Sequence, residues 1–75
     1  MEILFFGQLT DITGTARIEV PAITDTDALK KVLIEKFPRL QAAKYSIAVD
    51  KKMVHEATVL NGQEVVALMP PFSGG

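Results

Sequence analysis

The chain has no cysteine and no tryptophan, and one histidine and one tyrosine among its 75 residues. Without cysteine, no disulfide can staple a chain this short, and its stability has to come from a core. A single histidine, His55, has no set of soft or carboxylate ligands at a metal-binding spacing around it, gives no pattern for a zinc site and reads as a surface or strand-edge residue. No apolar run approaches the ~20 residues of a membrane span. Neither sign of charge dominates, since 8 basic and 9 acidic residues leave a formal net charge of −1. That balance offers no electrostatic footprint for nucleic acid and no polybasic membrane patch. Lys30-Lys31 and Lys51-Lys52 are only pairs and read as solvated faces. No glycine cluster opens a helix as a phosphate loop would. Neither Ser46 nor Ser73 has a histidine and carboxylate at a spacing that suggests a nucleophile. A self-contained enzyme is therefore not expected.

What is present is a globular pattern, 48% apolar, in one domain. "EILFF", Glu2 to Phe6, is a short apolar run ended by Gly7 and suits a central strand. Strand alternation sends Ile3 and Phe5 to one face and Leu4 and Phe6 to the other, so both faces are apolar. "QLTDITGT" leaves room for a helical turn closed by Gly14, with Thr10, Asp11 and Thr13 as turn and cap residues. "ARIEV", Ala16 to Val20, alternates as a half-buried strand antiparallel to the first, and Pro21 stops it.

"TDTDALKKVLIEKFPRL" is the clearest element. Thr24, Asp25 or Thr26 can cap it, Asp27 suits the positive end of the helix, and Pro38 ends it near Phe37. Leu29, Val32, Leu33 and Phe37 make a single apolar stripe that needs a sheet to cover it. "YSIAVD" (Tyr45 to Asp50) and "KMVHEATVL" (Lys52 to Leu60) read as short strands around a turn at Asp50-Lys51-Lys52. Asn61-Gly62-Gln63 is a turn, and "EVVALM", Glu64 to Met69, is a final central strand. On it Val66 and Leu68 face one side, and Val65, Ala67 and Met69 the other. The order predicts an α+β domain with a mixed sheet on one main helix and parallel first and last strands. That is the ubiquitin-like, or β-grasp, arrangement.

The domain is read as residues 1–69, and residues 70–75, "PPFSGG", as an extended tail. Two adjacent glycines arise by chance about half a percent of the time, at a glycine frequency of about 7%. Here they sit where the backbone has a reactive group, the terminal carboxylate. Pro70 and Pro71 cannot pair in a sheet and launch the chain outward. The six tail residues reach about 20 Å at ~3.3 Å each, and glycines can thread a narrow channel. Composition alone would read the tail as a frayed terminus. The second apolar face argues otherwise. Leu4 and Phe6 with Val65, Ala67 and Met69, joined by Met53, predict a patch the helix does not cover, and such patches mark protein interaction sites. A patch beside a projecting tail calls for a partner that grips the domain and receives its terminus.

"EVVALMPPFSGG" resembles the C-terminus of the molybdopterin synthase small subunits, the MoaD family, in which the last strand runs into Pro-Pro-x-Ser/Thr-Gly-Gly. "ILFFGQLTDITG" resembles that family's first strand and turn, and "IAVDKKMV" its middle strand, so the likeness spans the chain. It departs at Asn61-Gly62-Gln63, where the family commonly has Asp-Gly-Asp, and at Asp50, often Asn. The resemblance implies a sulfur carrier with no stably bound cofactor. An E1-like, MoeB-like enzyme would use ATP to adenylate Gly75, and sulfur would then replace AMP to give a thiocarboxylate. Gly74, Ser73 and Phe72 would thread into a MoaE-like large subunit, where sulfur passes to a pterin precursor of the molybdenum cofactor. Phe6, Leu4, Met53, Met69, Pro70 and Pro71 would form the partner interface, in a heterotetramer of two small and two large subunits. The alternatives are a ThiS-like carrier for thiamine biosynthesis, a protein modifier joined through Gly75, and a docking module with an inert tail. Met1-Glu2-Ile3-Leu4 has no basic region before an apolar stretch, so no signal peptide is expected and the cytoplasm is.

Overall fold

The computed structural model describes residues 1–71. Glu2–Phe5 forms β1 and Val65–Met69 forms β5, and the two run parallel side by side with Ile3 opposite Val66 and Phe5 opposite Leu68. Between them in the chain come α1 (Leu9–Thr13), β2 (Arg17–Glu19), α2 (Thr26–Lys36), a 3-10 turn (Pro38–Ala42), β3 (Ser46–Val49) and β4 (Lys52–Val54). The sheet order is β2-β1-β5-β3-β4, with every pairing except β1–β5 antiparallel. The predicted arrangement is the one observed, and apart from β4 the strand ends differ from the sequence reading by a residue or two.

The two faces divide as alternation requires. Ile3, Phe5, Val66 and Leu68 are nearly or fully buried and meet Leu29 and Leu33 of α2. Phe5 and Phe37 pack edge to face, with ring centroids 5.8 Å apart. Asp25 is the cap among the three candidates, its Oδ1 accepting the Ala28 N–H at 2.8 Å. Removing a leucine such as Leu33 from this core would cost about 2–5 kcal/mol, a large share of the ~5–15 kcal/mol that holds a domain folded.

Two expectations are corrected and one element is added. Val32, read as part of the α2 stripe, is half-buried outside the core cluster, and Ile34 packs on the core instead. As expected, α2 ends just ahead of Pro38, and the chain then continues into an element the sequence reading did not assign. This is the 3-10 turn, with Pro38 at its start, and it buries Leu40. The strand read from Lys52 to Leu60 stops at Val54. Residues 58–60 pair with the approach to α2 rather than with the sheet. The Thr26 N–H donates to the Thr58 carbonyl at 2.9 Å, the Leu60 N–H to the Thr24 carbonyl at 2.8 Å, and the Thr58 N–H to the buried Thr26 hydroxyl at 3.0 Å. These bonds satisfy the backbone that an isolated continuation of edge strand β4 would leave unpaired.

Candidate docking face and tail root

The sheet face away from α2 is bare. Leu4 and Phe6 from the first strand segment, Val65, Ala67 and Met69 from β5, Ala48 from β3 and Met53 from β4 line one shallow depression of about 500 Å³. Phe6 is 47% exposed and Met53 43%, which is high for side chains of this size and leaves apolar surface without a partner. The patch is confined to β1, β5, β3 and β4. Toward β2 the same face turns ionic, with the Arg17 guanidinium 2.9 Å from the Glu2 carboxylate and 3.8 Å from that of Glu19. Alternation on β1 and β5 therefore assembles most of the apolar face, and Ala48 from β3 and Met53 from edge strand β4 complete it.

The depression has a polar end that the sequence reading did not assign. Asp50 and Lys51 line it from the β3–β4 hairpin. Both have positive φ, 49° and 71°, as a tight hairpin requires. Asp50 is also tied to β5. Its Oδ1 accepts the Val65 N–H at 2.9 Å, and its own N–H donates to the Val65 carbonyl at 2.9 Å. The signal available in sequence was an aspartate at the first position of a turn, where such residues tolerate left-handed backbone.

At the far end of β5 the chain leaves the sheet. Pro70 is half-buried over Gly7, whose φ is +59°. A Cβ built on that glycine would lie 2.7 Å from the Pro70 Cγ. Gly7 thus serves two purposes, turning β1 into α1 and making room for the ring where the tail begins. Pro71 is exposed. Of the predicted site residues, the structure brings Leu4, Phe6, Met53 and Met69 onto one face and sets Pro70 and Pro71 at its edge. Phe72, Ser73, Gly74 and Gly75 lie outside the described residues.

The remaining chemistry is sparse. His55 is exposed just past β4, beside a hollow that Lys30, Tyr45 and Glu56 also line. Burial raises the Tyr45 phenol above its ordinary value, so it stays protonated at neutral pH. The Glu64 carboxyl is lowered, chiefly by the Asn61 N–H, which donates to it at 2.8 Å, with the Gly62 N–H adding to the effect. These bonds and an Asn61 Oδ1 acceptor for the Gln63 N–H hold the turn before β5. Among the described residues no group of three or more acids and histidines could hold a metal ion, and no helix is long and apolar enough to cross a membrane.

A mixed sheet wrapped on one helix, with parallel terminal strands and an apolar face beside the outgoing terminus, defines the β-grasp class of ubiquitin-like proteins. Residues 3–75 match the ThiS family, and the chain belongs to it. It is 31% identical to a molybdopterin synthase sulfur carrier subunit of Caenorhabditis briggsae over 81 aligned positions, covering 100% of this chain and 96% of the relative. The protein of the same name from Caenorhabditis elegans is 30% identical with the same coverage. The resemblance to sulfur-carrier small subunits is thus upheld at the level of the family. Solved structures agree on the fold. SAMP1 from Haloferax volcanii superposes with a TM-score of 0.76 at 19% identity, over 99% of this chain and 97% of that one. A chain of the protein–protein complex of subunits 1 and 2 of the molybdopterin-converting factor from Helicobacter pylori superposes with a TM-score of 0.72 at 23% identity, over 99% of this chain and 96% of that one.

Proposed function

We propose that this chain is the sulfur-carrying small subunit of a molybdopterin synthase, non-catalytic on its own. The observation that carries the reading is the course of β5, which lines the uncovered apolar face and delivers Pro70 and Pro71 from its edge. A protein that covers that face is thereby handed the chain terminus. Relatives that span the whole chain and bear the name sulfur carrier subunit support the assignment. Leu4, Phe6, Met53, Met69, Pro70 and Pro71 form the interface with a large catalytic subunit; the Helicobacter pylori complex of subunits 1 and 2 supports such a partner, and the exposed apolar lining supports these residues.

The chemistry belongs to Gly75. A carboxylate is a poor electrophile, so an E1-like adenylating enzyme first joins one of its oxygens to the α-phosphorus of ATP, and pyrophosphate leaves. Sulfur at the sulfide level then attacks the acyl carbon, the bond to AMP breaks, and the thiocarboxylate that results is a good sulfur nucleophile. Ser73, Gly74 and Phe72 thread the channel of the large subunit, where the sulfur goes to a pterin precursor of the molybdenum cofactor. The small subunit binds no cofactor stably, since ATP is consumed by its activating enzyme. The assembly is a cytoplasmic heterotetramer of two small and two large subunits.

The match to the ThiS family supports a second reading, a carrier that serves thiamine biosynthesis through the same terminal chemistry. The intact mass of the chain after incubation with ATP, a sulfide source and the activating enzyme tests what the two share. One oxygen replaced by sulfur, absent in a chain lacking Gly75, is expected. An active activating enzyme that yields neither adenylate nor thiocarboxylate would overturn both. Transfer of the sulfur to a pterin acceptor in the presence of the large subunit separates them.

A further inference from the structure

A second concavity lies on the other side of the tail root, away from the apolar face. Gln8, Asp11 and Ile12 of the α1 region, Arg39 and Lys44 around the 3-10 turn, and Pro71 bound a cleft of about 430 Å³. Its floor is firm, since Leu9 is 1% exposed and the 3-10 turn anchors Leu40 in the core. Arg39 and Lys44 against Asp11 leave this end with a net charge of +1, the reverse of the whole chain's −1. The ion pairs seen among the described residues all join Met1, Glu2, Arg17 and Glu19 at the β1–β2 edge, and none involves Arg39, Lys44 or Asp11.

The chain itself links this cleft to the docking face. Met69 lines the apolar depression, and Pro71, two residues further on, lines the cleft. A protein that covers the face and follows the chain outward has to cross it. We propose that the cleft seats an acidic segment of the large subunit, so that the partner straddles the tail root with apolar contacts on one side and carboxylates facing Arg39 and Lys44 on the other. This rests on the function proposed above. Exposed cations of this kind act mainly on the rate of encounter and on register, and salt screens them. Arg39 sits on a turn fixed by Pro38 and Leu40, which holds its backbone in place relative to the tail and makes it the better placed of the two to set register.

The test is the association rate of the full-length small subunit with its purified large subunit, followed across ionic strength. Arg39→Glu/Lys44→Glu should slow association about tenfold at low salt, and the deficit should shrink toward about 0.5 M salt. Lys30→Glu/Lys31→Glu, on the exposed side of α2, changes the net charge by the same amount and should have a clearly smaller effect. Arg39→Gln/Lys44→Gln should fall between wild type and the reversal, and guards against a folding defect in the reversed variant. Equal effects of the two reversals, or none from either, would overturn the proposal. So would slowing confined to the activating enzyme, which would place that enzyme over the cleft instead. If wild type fails to bind the large subunit at all, the functional reading fails and the cleft assignment falls with it. If Phe6→Asp abolishes binding while the cleft reversals leave it untouched, only the cleft assignment fails.

Discussion

Replacing Gly7 by alanine should destabilise the domain and displace the tail root, and the structure allows the two effects to be separated. Gly7 and Gly14 both have left-handed backbone, with φ +59° and +75°, and flank the same short helix. A Cβ at Gly14 meets nothing within 4 Å, whereas one at Gly7 would lie 2.7 Å from Cγ and 3.3 Å from Cδ of Pro70. The cost of putting a side chain in this backbone region is about 1–2 kcal/mol at either site. Gly7→Ala adds an overlap with a ring that has no free rotor to swing aside. Overpacking of that order typically costs a further ~1–3 kcal/mol unless the backbone yields.

Gly14→Ala is therefore expected to lose about 1–2 kcal/mol and Gly7→Ala about 2–5 kcal/mol. In a domain of this size each kcal/mol lowers the melting temperature by about 4–8 °C, so calorimetry resolves the difference. The proline contact is isolated by Pro70→Gly. If the overlap is real, Gly7→Ala in a Pro70→Gly background should cost no more than Gly14→Ala does, a coupling of about 1–3 kcal/mol. Equal costs for the two glycines in the wild-type background, or no coupling to Pro70, would refute the packing argument. Gly7→Ala should also weaken large-subunit binding beyond its effect on stability, because Pro70 sits at the edge of the docking face.

Phe6→Asp and Met69→Asp should leave the monomer folded, Phe6→Asp within about 0.5 kcal/mol because the site is exposed, yet reduce affinity for the large subunit at least tenfold; complex formation that survives both would show that the face is misassigned. Asp50→Ala gives up the bond from the Val65 N–H and a residue suited to φ 49°, and is expected to cost about 1–2 kcal/mol in denaturant unfolding, while Asp50→Asn keeps an acceptor and should stay within about 0.5 kcal/mol. Glu64 has a lowered folded-state pKa, so its contribution is fully present above the ordinary glutamate value and is lost as pH falls through the lowered one. Amide exchange at Asn61 and Gly62 should accelerate across that acid window in wild type, and Glu64→Gln should remove the transition.

The sheet was legible in sequence because its central strands are two-faced. In β1 and β5 the residues that bury against α2 and those on the uncovered face alternate without exception, so period alone assigned both the core and the uncovered apolar face. The cap of α2 was narrowed to three neighbours, of which Asp25 accepts the bond. Lys52 to Leu60 misled because its residues are strand formers throughout, while what ends β4 is tertiary. Residues 58–60 are drawn to the approach to α2 by Thr26, whose buried hydroxyl has no signature in its own neighbourhood. The 3-10 turn escaped for a related reason. Pro38 reads equally as a stop and as a start, and only the pocket that receives Leu40 decides between them.

The basic cleft could not have been read from sequence at all. Asp11, Arg39, Lys44 and Pro71 are scattered over sixty residues of chain, and each alone looks like an ordinary solvated or turn residue. Folding gathers them because β1 and β5 are parallel neighbours. Parallel pairing places the C-terminal ends of both strands together, so the loop leaving β1 and the tail leaving β5 emerge side by side. An antiparallel pair would have sent the tail out at the opposite edge, next to the start of β1. The parallel arrangement has a functional consequence. On the function proposed above, the chain that carries the terminus to a partner leaves β5 through Pro71 beside α1 and the 3-10 turn, two elements whose exposed side chains are not committed to the core. Those side chains can change without disturbing the sheet or the terminal glycine, and that freedom would let carriers with the same tail chemistry be sorted among different partners.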